Sequence, residues 1–468
     1  MPLVFALYWF VFYKSLRIQN LCLLLASYFF YGWWSYKFLG LLIVGTLLNF
    51  TYGSFVGDSN KKRAKRFLIA GVLSNLLILG LFKYYNFFAF EFQHAAVVLG
   101  FKTNPVFLQM ALPIGISFYT FHGMSYVFDI YYGKQKPVSN IVDYGVFVAF
   151  FPLLVAGPIE RAHHLLPQVQ KPRSFKYESA VQGCRLILWG LFKKVVIADS
   201  LAPSINNVFY TYLHLNGVSL ILGAIAFAFQ IYGDFSGYSD IALGTSKLFG
   251  FEVLSNFKFP YFSRDIAEFW RRWHVSLSSW FKDYLYIPLG GSKRSKAITI
   301  RNTFIIFIVS GFWHGASWSF IIWGTIHAFA FLPLLLFNKN RTHTNNVVAN
   351  NNHFPSLKEV IQMLSTFLIV TIAWIFFRMN DLKQSLLYIR QIISSFYKQP
   401  QNLFSYVSEL NIFYYVIPFI LIDWYLRKDE RQLKVPANSI FRWSMYVTMV
   451  MMILYHLGGN HSFIYFQF

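Results

Sequence analysis

The stretch "SGFWHGASW" (310–318) sets His314 inside a run, Asn302 to Asn338, that contains no Asp, Glu, Lys or Arg. A desolvated imidazole is held in its neutral form, with a lone pair free to accept a proton. That suits a general base acting on a hydroxyl. A proton relay in a pump would use the same property, but it would also need intramembrane carboxylates. Two are available in "QIYGDFSGYSD" (230–240), where Asp234 and Asp240 are the only charged residues between Asp199 and Lys247. With Gly233 and Gly237 beside them, these aspartates suit three tasks: orienting a histidine, capping a broken helix, or lining a polar pore. A second histidine, His274, lies in "FWRRWHVSLSSWFKDYLYIPLGG" (269–291). The structural alternative for any of these imidazoles is a neutral ring hydrogen-bonded between helices, and that is the reading preferred for His327.

The elements that must hold these groups are membrane helices. The chain is 56% hydrophobic and 21% aromatic with only 13% charged residues, a composition outside the soluble range. Apolar stretches of bilayer-crossing character recur along nearly all of its 468 residues. The expectation is an all-α polytopic membrane protein with about ten to twelve transmembrane or re-entrant helices. The N-terminal "MPLVFALYWFVFYKSLRIQN" lacks a basic region before its apolar stretch and a small-residue cleavage site, so it reads as a retained first segment. As one straight helix, residues 302–338 would measure about 55 Å against a hydrocarbon core of roughly 30 Å. A break at Ser310, Gly311 or Gly315 is therefore expected, with His314 beside a cavity and not beside lipid.

Residues 269–291 read as one amphipathic helix. Trp270, Trp273, Leu277, Trp280, Phe281 and Tyr284 fall on one side and Arg271, Arg272, Ser279, Lys282 and Asp283 on the other. Its tryptophan face suits the membrane interface and its basic face anionic headgroups. The net charge of +22 is gathered in short clusters between apolar runs, "KKRAKR" (61–66), "KPRSFK" (171–176), "GGSKRSK" (290–296) and "RKDERQLK" (427–434). That arrangement marks cytoplasmic loops and contact with membrane lipids, not a nucleic-acid partner. An Asn-rich segment, 338–356, reads as a solvated loop. Cys22 and Cys184 carry no disulfide framework. There is no phosphate loop, no metal-ligand spacing and no serine elbow. The residues themselves lead to a membrane protein with a histidine-lined interior, closer to an enzyme than to an exporter of glycan or lipid-linked precursors.

The 269–291 segment followed by "GFWHGASWSFIIWG" resembles the membrane-bound O-acyltransferases, and within them the alginate O-acetyltransferase group. "LPIGISFYTFHGMSYVFDIYYG" (112–133), "GPIERAHHLLPQ" (157–168), "GLFKKVVIADSLAP" (190–203), "QIYGDFSGYSDIALG" (230–244), "FGFEVLSNFKFPYFSRDI" (249–266) and the terminal "FIYFQF" (463–468) are similar to that group and in its order. Lys282 and Phe312 depart from the residues usual there, Arg and Leu. The resemblance implies a single domain over 1–468, helices around a central funnel or tunnel, and a catalytic core within 105–335. By position, His314 matches the family's catalytic histidine and His274 its second. Trp270, Trp273, Trp313, Asp234, Asp240 and Tyr284 are the candidates for the substrate path. The resemblance also implies acetyl-CoA as co-substrate with no bound cofactor or metal, and an extracytoplasmic glycan as final acceptor, either peptidoglycan or an alginate-like exopolysaccharide. A periplasmic acetyltransferase partner and an inner-membrane location complete the expectation.

Overall fold

A computed structural model describes residues 1–109, 111–344, 346–396 and 412–458. The terminal "FIYFQF" lies outside the described residues. These residues are helical, without strands among them, as the composition requires. Six helices are long and apolar enough to cross a membrane: Tyr36–Gly57, Lys61–Val98, Gly217–Leu248, Lys296–His314, Trp318–Leu336 and Leu357–Met379. Two shorter apolar helices are Pro2–Val11 and Tyr414–Leu426. The protein is a multi-pass membrane protein.

The chain forms two compact units, residues 1–183 with 245–254, and residues 184–244 with 255–468. In the first, Ser35 ends one helix and starts the next: its extended backbone breaks Leu16–Trp34 from Tyr36–Gly57, and its hydroxyl accepts from Phe38 N. A buried amide pair, Asn49 with Asn75, ties Tyr36–Gly57 to Lys61–Leu79 through reciprocal hydrogen bonds of 3.0 and 2.7 Å. Pairing satisfies amides that would otherwise be costly in an apolar interior.

In the second unit, the charge-free run of 302–338 belongs to a helical hairpin. Lys296–His314 starts at Ser295, whose hydroxyl caps Ile298 N, and Trp318–Leu336 starts at Ser317. Each helix has 19 residues, about 28 Å at the helical rise, which matches one hydrocarbon core. The break falls at Gly315 to Ser317, while Ser310 and Gly311 remain inside the first helix. Gly311 serves packing instead: a Cβ there would lie 2.2 Å from Phe320 O, and one on Gly324 would lie 2.2 Å from Phe307 O. The two backbones touch without side chains between them.

The single amphipathic helix expected at 269–291 is not formed. Ile266–Arg272 and Val275–Phe281 are separate helices, followed by a π-helical turn, Lys282–Tyr286. The aromatic face is turned into protein, with Trp273, Leu277, Trp280, Phe281 and Tyr284 all buried. The arginines bond to protein too. Arg272 meets Glu268 at 2.8 Å, and Arg271 donates to Asn340 O and His343 O at 3.0 and 3.2 Å. The Asn-rich segment is likewise less solvated than its composition suggests: Val348 and Ala349 are buried, and their carbonyls, with that of Asn352, accept from the Arg427 guanidinium.

Candidate active site

His274 sits at the break between the two short helices, with φ 44° and ψ 52°, a left-handed conformation that L-residues adopt at a cost. What holds it there is backbone pairing on either side. Lys258 N donates to Arg272 O and Val275 N donates to Asn256 O, each at 2.9 Å. The Asn256 side chain closes the frame, accepting from Ser276 Oγ at 2.5 Å and donating to Ser239 Oγ at 2.7 Å. The ring of Phe235 packs edge-on against the imidazole at 4.8 Å. Burial pushes the His274 imidazole down to about 3, so the ring is neutral throughout the physiological range.

His314 ends the helix Lys296–His314 and is buried. Its ring lies 4.9 Å from Trp313, 5.1 Å from Trp323 and 5.2 Å from Phe377. Trp313 in turn lies 6.1 Å from His274. The two histidines therefore flank one indole. At a helix C-terminus the backbone carbonyls face any positive charge the ring gains on accepting a proton.

The remaining candidates divide into two groups. Trp270 and Trp273 join the aromatic column, Trp270 at 5.6 Å from Trp323 and Trp273 at 4.9 Å from Trp374. Tyr284 is buried on the π-helical turn against Trp280, at 5.1 Å. Asp234 and Asp240 are ion-paired with adjacent lysines: Lys194 lies 2.7 Å from Asp234 and from Asp199, and Lys193 lies 2.7 Å from Asp240. Sequence reasoning passed over this pair, although "FKK" interrupts an apolar run. The lysines belong to a π-helical segment, Phe192–Asp199, a form often found at functional sites. Asp234 and Asp240 are six residues apart on one helix and so point in directions about 120° apart. Successive lysines diverge too, and each reaches one of them. The approach depends on glycine: a Cβ on Gly237 would lie 2.7 Å from Gly190 O, and one on Gly190 2.4 Å from Gly237 O.

His327 differs from expectation. It is fully buried, yet neither ring nitrogen has a hydrogen-bond partner among the described residues. It packs at 4.9 Å from both Trp270 and Trp323. The helix that carries Trp270 is anchored by Glu268, which binds Arg264 at 3.0 Å and Arg272 at 2.8 Å. Burial alone would push the Glu268 carboxyl up, but the two guanidiniums outweigh it and hold it below the usual range.

The chain is thus a polytopic helical membrane protein with two buried histidines flanking an indole. The chain belongs to the membrane-bound O-acyltransferase family, which it matches over residues 132–377. It is 40% identical to the probable alginate O-acetylase AlgI of Azotobacter vinelandii over 82% of this chain and 73% of that protein. It is 34% identical to the peptidoglycan O-acetyltransferase of Helicobacter pylori over 81% and 75% of the two chains. With the teichoic acid D-alanyltransferase of Bacillus subtilis it shares 31% identity over 46% of this chain and 57% of the other. The protein is an acyltransferase.

Proposed function

We propose that this acyltransferase, placed in the inner membrane, takes acetyl from cytoplasmic acetyl-CoA and passes it outward for O-acetylation of an extracytoplasmic glycan, peptidoglycan or an alginate-like polymer. The observation that carries the reading is the pairing of His314 with His274 across Trp313, in a chain whose relatives are named for O-acetyl transfer.

In this reading His314 is the general base. It accepts the proton of the hydroxyl that first takes the acetyl group, on the partner acetyltransferase or a small carrier and not on the polymer, as that oxygen attacks the thioester carbonyl, and the proton then leaves with the departing thiolate as thiol. His274, neutral and fixed in its left-handed turn, orients groups along the path lined by Trp270, Trp273 and Trp313. A large glycan does not enter such an aromatic interior, so a separate periplasmic acetyltransferase completes the transfer to the polymer.

The test is the O-acetyl content of peptidoglycan and exopolysaccharide, measured separately, in cells making wild-type protein or His314→Ala at equal membrane abundance. Loss of acetyl esters from one polymer is expected, and it names the acceptor. Unchanged acetylation removes His314 from the chemistry and makes it a structural histidine.

A further inference from the structure

A cavity of about 260 Å³ in the first unit lies well away in sequence from the two histidines and is lined by Trp9, Lys171, Arg173, Lys176, Lys247 and Glu252, among others. Its walls are cross-braced. Trp9 Nε1 donates to Leu248 O at 2.9 Å and the Tyr8 hydroxyl donates to Phe249 O at 3.1 Å. Gln168 joins Glu252 twice: its amide donates to Glu252 O at 2.8 Å and its carbonyl accepts from Glu252 N at 2.9 Å.

The charges are unequal. Lys247 Nζ binds both Glu252 oxygens, at 2.9 and 3.1 Å, which neutralises the one acid in the lining. Arg173 is fixed by Tyr8 Oη, Asn20 Oδ1, Gln168 O and Val169 O, all neutral acceptors, and its guanidinium lies over the Phe251 ring at 4.8 Å. Lys171 and Lys176 are exposed at the mouth, and no carboxylate lies within ion-pair distance of either among the described residues. The cavity therefore combines a rigid, permanently charged floor, two mobile ammonium groups and aromatic walls from Trp9 and Phe175, whose rings meet at 5.7 Å.

We propose that this cavity binds a phosphate group. Two ammonium groups with no carboxylate in reach, beside a guanidinium that Asp143 meets only through Asn20, call for an anion. Guanidinium and ammonium donors set around one space suit the oxygens of a phosphate monoester or diester better than a single carboxylate. A volume just below the roughly 300–1,000 Å³ of small-molecule sites admits one head group and not an extended ligand. The basic segment 171–176 places the opening at the cytoplasmic membrane surface, where such phosphates come from an anionic lipid head group or from the nucleotide end of a soluble thioester donor. The assignment does not depend on acetyl transfer by His314.

The test uses the full-length purified protein and Lys171→Gln/Lys176→Gln, a change confined to exposed side chains, with an unchanged unfolding midpoint as the check on folding. One arm titrates adenosine 3′,5′-bisphosphate by calorimetry. The other counts phosphatidylglycerol retained by native mass spectrometry after reconstitution in phosphatidylcholine vesicles containing it. Weakening of about thirtyfold in the variant is expected in one arm. In the first arm it assigns the soluble donor, and in the second the lipid. Equal binding by both proteins in both arms, or no binding by the wild type in either, overturns the proposal.

Discussion

Lys193 and Asp240 meet at 2.7 Å with side chains only 5% and 16% exposed, and Lys193 also donates to Ser236 Oγ at 2.9 Å. The helix that carries Asp240, Gly217–Leu248, turns Phe235 to another side, where it packs on His274, so the ion pair with Lys193 backs the segment that supports a candidate catalytic residue. Asp240→Asn takes from a buried ammonium its ion-pair partner and leaves it only the more distant Asp423 carboxyl, a change that costs about 3–5 kcal/mol in buried pairs. Lower membrane abundance and a lower unfolding midpoint are expected. Lys193→Met/Asp240→Leu removes both charges and is expected to recover most of that stability, as a double-mutant cycle by thermal unfolding would read directly.

Glu268 is expected to be as sensitive. It is fully buried between Arg264 and Arg272, and Glu268→Gln leaves two guanidiniums facing a neutral amide. Loss of about 3–5 kcal/mol is expected, with limited proteolysis cutting first near the 266–275 turns. Glu268→Asp, which keeps the charge on a shorter arm, is expected to lose less.

His274 supplies a pH signature. Burial lowers its folded value to about 3, against about 6.5 for an unfolded imidazole. Between those values the unfolded chain binds the extra proton, so stability falls as pH drops from 6.5 toward 3, at up to about 1.4 kcal/mol per pH unit. His274→Asn does not titrate and tolerates the left-handed backbone. Its unfolding midpoint is expected to fall less between pH 7 and pH 5 than that of the wild type. Identical slopes would show that the imidazole is open to solvent protons in the folded state.

The hairpin seam gives a steric prediction. Gly311→Ala would set a methyl 2.2 Å from Phe320 O, whereas a Cβ on Gly40 meets nothing within 4 Å. Helix propensity favours alanine at both places by about 1 kcal/mol. Gly40→Ala is expected to raise the unfolding midpoint slightly. Gly311→Ala is expected to lower it and to reduce acyl transfer, because the helix it displaces ends in His314.

The membrane class and a break in the helix near His314 were legible because hydropathy and glycine placement are local signals. What was not legible is tertiary. The pattern at 269–291 is that of one amphipathic helix, and nothing in it shows that residues 256–258 pair with 272–275 and break the helix at His274. Asp234 and Asp240 stood out as charges in an apolar run, but their partners on Phe192–Asp199 depend on a π-helical register and on two glycines in contact. Arg271 and Arg272 looked lipid-facing because periodicity separates polar from apolar faces without distinguishing a headgroup from a buried carboxylate.

The meeting of Gly190 with Gly237, and of Gly311 with Phe320, also bears on leakage. Where main chain rests on main chain there is no gap wide enough for a file of water molecules. A multi-pass membrane protein must hold the membrane potential whatever chemistry it performs. At these two seams the helices seal as gaskets do, by contact and not by filling.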